Sequence, residues 1–101
     1  MARRPHTSNE SLTELFLDML AAERGAGANT LDAYRRDLAD FAADLGRAGG
    51  SVAAADSDEL RAHLGRLSKR GLAAASVARR LSAIRQLYRF LYSEGHRRDD
   101  P

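Results

Sequence analysis

The residues best suited to chemistry lie in the segment from Ser76 to Gly95, SVARRLSAIRQLYRFLYSEG. On a helical wheel of about 100° per residue, Val77, Leu81, Ile84, Tyr88 and Leu91 form an apolar stripe, and polar side chains gather on the opposite side. Arginine can bind phosphates and guanine edges, and glutamine can bind adenine. The segment therefore predicts a helix that binds an anion, with nucleic acid as the first candidate. The polar face carries Arg79, Ser82, Gln86 and Arg89, and its central track runs through Ser76, Arg79, Ala83 and Gln86, with Arg80 at the edge.

Positive charge is concentrated in the same region. The whole chain has 101 residues with 16 basic and 14 acidic side chains, but residues 69–98 hold 8 basic side chains against Glu94 alone. Residues 1–68 are net negative, with 8 basic and 11 acidic side chains. Such a cluster is typical of a phosphate-binding face, and it is equally compatible with a solvated helix surface.

Four amphipathic helices, at about 11–24, 29–45, 57–70 and 74–94, position these residues. Each has apolar residues that recur at three and four residues, and no strand pattern occurs. Ser11 is the expected start of a capping box, and Asn29 or Thr30 is the expected N-cap of the second helix. The sequence thus predicts an all-α fold, a small four-helix bundle, in a single domain over residues 1–101.

The second predicted helix offers a second candidate site. Asn29 and Thr30 lie beside free backbone N–H groups at the positive end of the helix, which is a phosphate-binding arrangement, and Arg35 and Arg36 follow within two turns. Helix capping is the simpler explanation of Asn29 and Thr30, and ordinary surface charge explains Arg35 and Arg36 equally well. The helix also carries four aspartates away from its apolar stripe, which predicts a solvated acidic side: Asp32, Asp37, Asp40 and Asp44.

Catalytic chemistry, metal ions and cofactors are not expected. His6, His63 and His96 have no ligand spacing, and the chain contains no cysteine. No phosphate loop or Ser/His/Asp arrangement is recognisable. No apolar run approaches the roughly 18 residues of a membrane span, and no apolar segment follows the first arginines as a secretion signal requires. We therefore expect a cytoplasmic binding domain rather than an enzyme.

Three sequence segments resemble the core-binding domain of tyrosine recombinases, which is the SAM-like N-terminal domain of phage integrases and Xer proteins. They are NTLDAYRRDL (29–38), SDELRAHL (57–64) and the segment 76–95. The resemblance covers about residues 12–98 and implies an orthogonal SAM-like bundle, with residues 96–101 as the start of a linker into a catalytic domain. Tyr34, Tyr88 and Tyr92 do not match the family's nucleophile, so this fragment is expected to have no catalytic residue.

The resemblance implies double-stranded DNA as the partner. The domain would form half of a clamp around a recombination half-site, acting in chromosome dimer resolution, and its first helix would meet sister protomers in a tetrameric synapse. The isolated domain is expected to be monomeric. The second and fourth helices would face the DNA, and the DNA-binding residues expected on them are Asn29, Thr30, Arg35, Arg36, Ser76, Arg79, Arg80 and Gln86.

Two alternatives remain open at this point. The chain could be a fragment of a phage or transposon integrase, which the same resemblance allows. It could also be a helical interaction module whose basic face binds an acidic protein. A helix-turn-helix regulator fits less well, because the fourth helix is much longer than a usual recognition helix.

Overall fold

The computed structural model describes residues 9–25 and 27–101. These ranges contain four α-helices, and a π-helical turn at Leu20–Arg24 extends the first. No residue in the described ranges lies in a strand, and no helix there is long and apolar enough to cross a membrane. The all-α class predicted from the sequence is confirmed. The helices are α1 at Asn9–Met19, α2 at Ala28–Arg47, α3 at Ser57–Lys69 and α4 at Ala74–Ser93.

Local side-chain and backbone chemistry fixes several helix ends. Gly25 follows the π-helical turn with a φ of 62°, the left-handed conformation that ends helices and that glycine adopts most easily. Asp56 caps α3: its carboxylate accepts from the Glu59 N–H at 2.9 Å, and its own N–H donates to the Glu59 side chain at 3.2 Å. This reciprocal pair satisfies two N–H groups that the helix leaves free.

Two predicted caps are wrong. The first helix begins at Asn9, so Ser11 lies inside α1 and does not cap it. The second begins at Ala28 with Gly27 as its N-cap, so Asn29 and Thr30 occupy its first turn with exposed side chains. Glycine is itself an accepted N-cap residue, and no side chain caps this end.

The hydrophobic core lies between α1, α2 and α4, and α3 packs against α2 and α4. The loop between α2 and α3 closes one side through Val52 and Ala55. Phe41 lies at the centre, edge-on to Tyr88 with ring centroids 6.1 Å apart. The helical residues buried in the core are Leu12, Phe16, Leu17, Leu20, Leu38, Phe41, Leu45, Ala83, Ile84, Leu87, Tyr88 and Leu91.

The buried face of α4 is turned from the predicted stripe by roughly 50°. Ala83 and Leu87 are completely buried, whereas Val77 and Leu81 are only half-buried. The reason is that α4 packs against α1, α2 and α3, whereas a wheel assumes one apolar partner. The expectation that Ala83 belongs to a solvent-facing polar track is therefore wrong.

Replacing Leu87 by alanine should lower the free energy of unfolding by about 2–5 kcal/mol, because a fully buried side chain is lost and a cavity remains. Urea denaturation followed by circular dichroism measures the change. Leu15→Ala is the matched control: Leu15 is 45% exposed, and its loss should cost less than about 1 kcal/mol. Equal losses in the two variants would contradict this assignment of the core.

Candidate nucleic-acid interface

Three aspartates of α2 form a row along one side of the helix, because spacings of three and four residues return to the same face. This acidic row consists of Asp37, Asp40 and Asp44, whose side chains are 3%, 25% and 8% exposed. It faces cations on α3 and α4. The predicted solvated acidic side is therefore wrong for these three residues, and of the four aspartates only Asp32 is exposed.

Asp37 holds Arg79 of α4 through two hydrogen bonds. Arg79 Nε donates to Oδ2 at 2.9 Å, and Nη2 donates to Oδ1 at 3.1 Å. This fork fixes the plane of the guanidinium group, and the hydrogen bonds from Arg79 to Asp37 raise the arginine pKa above its usual value. The side chain of Arg79 is still 48% exposed, so part of the oriented cation faces solvent.

Asp40 binds two further arginines. It accepts from Arg70 Nη1 at 3.0 Å and from Arg80 Nη1, and Arg80 Nε lies 3.4 Å from a carboxylate oxygen of Asp37. Burial acts to raise the pKa of Asp40, but the hydrogen bonds from Arg80 and Arg70 outweigh it and hold the pKa below its usual value. Arg80 is only 16% exposed, so it mainly joins α4 to α2.

Asp44 joins α2 to α3. Arg66 Nε lies 2.8 and 2.9 Å from its two oxygens, and His63 Nδ1 lies 2.6 Å from Oδ2. An ionised carboxylate can only accept, so His63 Nδ1 carries the hydrogen. Burial acts to raise the pKa of Asp44, but the hydrogen bonds from His63 and Arg66 hold it below its usual value. In residues 9–25 and 27–101, no group of three or more His, Asp or Glu side chains could hold a metal ion.

The solvent side of α4 carries unpaired cations. Arg85 and Arg89 are exposed, and no described residue forms an ion pair with either. Gln86 lies between these two arginines in the sequence, and its amide nitrogen is 3.2 Å from both the Tyr34 hydroxyl and Ser82 Oγ. The resulting surface covers roughly 120° of the helix. We call it the α4 arc, and it consists of Arg79, Ser82, Arg85, Gln86 and Arg89.

The structure separates the residues expected to bind DNA on α4. Arg79 and Gln86 lie on the α4 arc, Ser76 is half-buried in the first turn of the helix, and Arg80 is directed into the acidic row. Arg85 was missed by the sequence argument. It lies four residues before Arg89, and that spacing places two arginines on one helical face, which is the signal that identifies it.

The candidates on α2 lie on different sides of the helix. Arg36 is exposed roughly 100° around α2 from Asp37, and no described residue pairs with it. Arg35 lies roughly 160° from Asp37 and pairs with Glu14 of α1. Asn29 and Thr30 are exposed in the first turn, where backbone N–H groups lack partners within the helix.

The three tyrosines differ in their surroundings. Tyr88 is 1% exposed, and its hydroxyl donates to the carbonyl of Val52 at 2.8 Å. Burial raises the pKa of Tyr88, so the hydroxyl stays protonated. Tyr34 is half-buried against the core and Tyr92 is 51% exposed. The assignment of Tyr34 and Tyr88 to the apolar side of their helices therefore agrees with the structure.

Acid should destabilise the fold through the acidic row. The pKa values of Asp40 and Asp44 are lower in the folded chain than the unfolded value of about 3.9. The stabilisation that the two ionised carboxylates give to the folded state is therefore fully present above about pH 5 and is lost as the pH falls through the folded pKa values. Urea denaturation between pH 7 and pH 3 should show Asp44→Asn destabilised most near neutrality, with the difference from wild type shrinking in acid. The control Asp18→Asn, at an exposed position on α1, should follow the wild-type curve. A constant difference for Asp44→Asn would contradict this role.

Comparison with known proteins agrees with this architecture. Residues 13–95 match the phage integrase N-terminal SAM-like domain family. The chain is 61% identical over 98 residues to the tyrosine recombinase XerD of Bradyrhizobium diazoefficiens, covering 97% of this chain and 31% of the relative. For XerD of Agrobacterium fabrum the identity is 58% over 88 residues (87% and 27% coverage), and for XerD of Caulobacter vibrioides it is 45% over 95 residues (94% and 31%). No solved structure matches the chain.

The matched region contains α2, α3, α4 and most of α1, so it includes the acidic row and the α4 arc. The chain spans about a third of the length of the curated relatives it matches. The family match and the four-helix fold agree, and the chain therefore belongs to the phage integrase N-terminal SAM-like domain family, with XerD tyrosine recombinases among its relatives.

Proposed function

We propose that this chain is the DNA-binding domain of a Xer-type tyrosine recombinase and that the α4 arc contacts the duplex. The observation that carries the proposal is the α4 arc, on which Arg79, Arg85 and Arg89 face solvent from one helix. Its polar residues Ser82 and Gln86 provide hydrogen-bonding groups between the cations. The names of the relatives support recombination as the process in which such a surface is used.

The arc combines two kinds of contact. Arg85 and Arg89 are exposed and unpaired, which suits the neutralisation of phosphates. Arg79 is held by Asp37 and Gln86 is supported by Tyr34, so both reach the ligand in a fixed orientation, as the reading of base edges requires. The major groove of B-DNA is about 12 Å wide and admits one α-helix.

The start of α2 provides the second part of the proposed interface. Asn29 and Thr30 are exposed beside free backbone N–H groups, where the positive end of the helix dipole favours a phosphate. Arg36 extends the positive surface by two turns. Contacts from α2 and α4 together would cover one side of a half-site, and a catalytic domain would close the clamp from the other side.

The biological role follows from this division of labour. This domain would bind DNA, and strand cleavage and rejoining would be carried out by the catalytic domain of the same recombinase. The names of the relatives favour a Xer protein over a phage integrase. Such a protein would resolve chromosome dimers in the cytoplasm. Sister protomers would meet in a tetrameric synapse on DNA, whereas the isolated domain would be a monomer.

DNA binding should depend steeply on salt. If the interface neutralises about four phosphates, those bound by Arg36, Arg85 and Arg89 among them, the logarithm of the binding constant should fall with the logarithm of salt concentration with a slope of about −3.6. Fluorescence anisotropy with a labelled duplex, between about 50 and 200 mM salt, measures this slope. A binding constant that does not change with salt would contradict the proposal.

Removing one cation from the arc should make that slope shallower. Arg85→Gln should reduce its magnitude by about 0.9, because one phosphate contact is lost. Arg47→Gln is the control: Arg47 is exposed in the last turn of α2, far along the helix from Arg36, where it lies 3.4 Å from Asp44, and its loss should change the slope less than half as much. Equal changes in the two folded variants would show diffuse binding and remove the arc from the interface.

A further inference from the structure

A groove of about 520 Å³ lies between α3 and α4. The half-buried side chains of Leu60, Leu64 and Leu81 contribute apolar surface to it. Three arginines also line it: Arg61 from α3, and Arg85 and Arg89 from the α4 arc. An apolar floor with a cationic border suits an acidic segment that also carries apolar surface.

Arg97 fixes the chain where it leaves α4. Its side chain is only 5% exposed, and Nη1 donates to the carbonyls of Ala53 at 2.9 Å and Val52 at 3.2 Å. The guanidinium group lies over the ring of Tyr88, 4.8 Å from the centroid. The Tyr88 hydroxyl donates to the same Val52 carbonyl, so Arg97 and Tyr88 together tie the end of α4 to the α2–α3 loop.

The last two residues of the chain reach the groove. Asp99 accepts from Arg97 Nη2 at 2.8 Å and from Nε at 3.2 Å, so it stays beside Arg97 and the α2–α3 loop. Asp100 and Pro101 line the groove together with the three arginines and the three leucines. The acidic segment is therefore held beside Arg85 and Arg89, two of the cations that the proposed DNA interface needs.

We propose that the groove between α3 and α4 is the docking surface for the end of the acidic segment 98–101, Asp100 and Pro101, and that the docked residues compete with DNA phosphates for Arg85 and Arg89. The docking depends only on the contacts of Arg97 and on charge complementarity in the groove. The competition rests on the proposed function. It follows because the Asp100 carboxylate lines the same groove as Arg85 and Arg89, and a negative charge beside those cations reduces the positive potential that attracts phosphates.

The docking can be tested without DNA, by ¹⁵N relaxation on the 101-residue chain. The amides of Arg98, Asp99 and Asp100 should be ordered like the helices, with order parameters near 0.85, and should fall below about 0.6 in Arg97→Gln. If Arg97→Gln fails to fold, the wild-type chain alone is sufficient for the test, because order parameters below about 0.6 for these three amides would overturn the docking. Order that appears only as protein concentration rises would identify a second copy as the occupant and would also overturn it.

The competition is tested by DNA affinity. Asp100→Asn should tighten binding about two- to fivefold, the range that interactions between exposed charges give, because a negative charge on the wall of the arginine-lined groove is removed. The control Asp18→Asn removes the same charge at an exposed position on α1 and should tighten DNA binding less than about 1.5-fold. In an Arg97→Gln background, Asp100→Asn should have no more effect than this control.

The outcomes separate the two proposals. Equal effects of Asp100→Asn and Asp18→Asn on a chain with an ordered segment would overturn the competition and support the docking. An ordered segment in a chain that does not bind DNA would overturn the proposed function and the competition, while the docking would still be supported.

Discussion

The paired acidic row of α2 determines how the other helices are placed. Asp37, Asp40 and Asp44 are at least three-quarters buried, and burying a carboxylate is unfavourable unless cations and hydrogen bonds compensate it. The compensating groups come from α3 and α4, so these helices must keep one arrangement relative to α2. Together with the packing of α4 against α1 and α3, the row sets the rotation of α4 about its own axis, because Arg79 and Arg80 must face α2. Arg85 and Arg89 are then left on the solvent side.

The arginines consequently divide between structure and ligand. Arg66, Arg70 and Arg80 neutralise the acidic row, and Arg97 anchors the segment that follows α4. Arg85 and Arg89 have no ion-pair partner among the described residues. Arg79 belongs to both groups, because one edge of its guanidinium group binds Asp37 while the rest of the side chain is exposed to solvent. Much of the positive charge in residues 69–98 is thus the counterpart of buried negative charge on α2, and only part of it is available to an anionic ligand.

Periodicity predicted the fold well, because it is local, whereas capping chemistry predicted only some of the helix ends. The stop at Gly25 after the π-helical turn and the cap of α3 at Asp56 follow directly from the residues there. The rotation of α4 could not be predicted, because it depends on three neighbouring helices at once. The row on α2 was misjudged for the same reason: a wheel shows that Asp37 and Asp44 lie off the apolar stripe, but it cannot show that cations of other helices cover them. Arg80 was expected on the solvent side for the same reason, whereas in the structure it pairs with Asp40.

The most direct test is a titration of the ¹⁵N-labelled chain with a short recombination half-site duplex at low salt, followed by amide chemical shifts. The acidic row turns Arg85 and Arg89 outward, so the largest shift changes should fall on residues 79–89 of α4 and on the first turn of α2. Amides of α1 should change least. Dominant changes on α1, with α4 unaffected, would contradict the claim that the acidic row orients α4 for DNA.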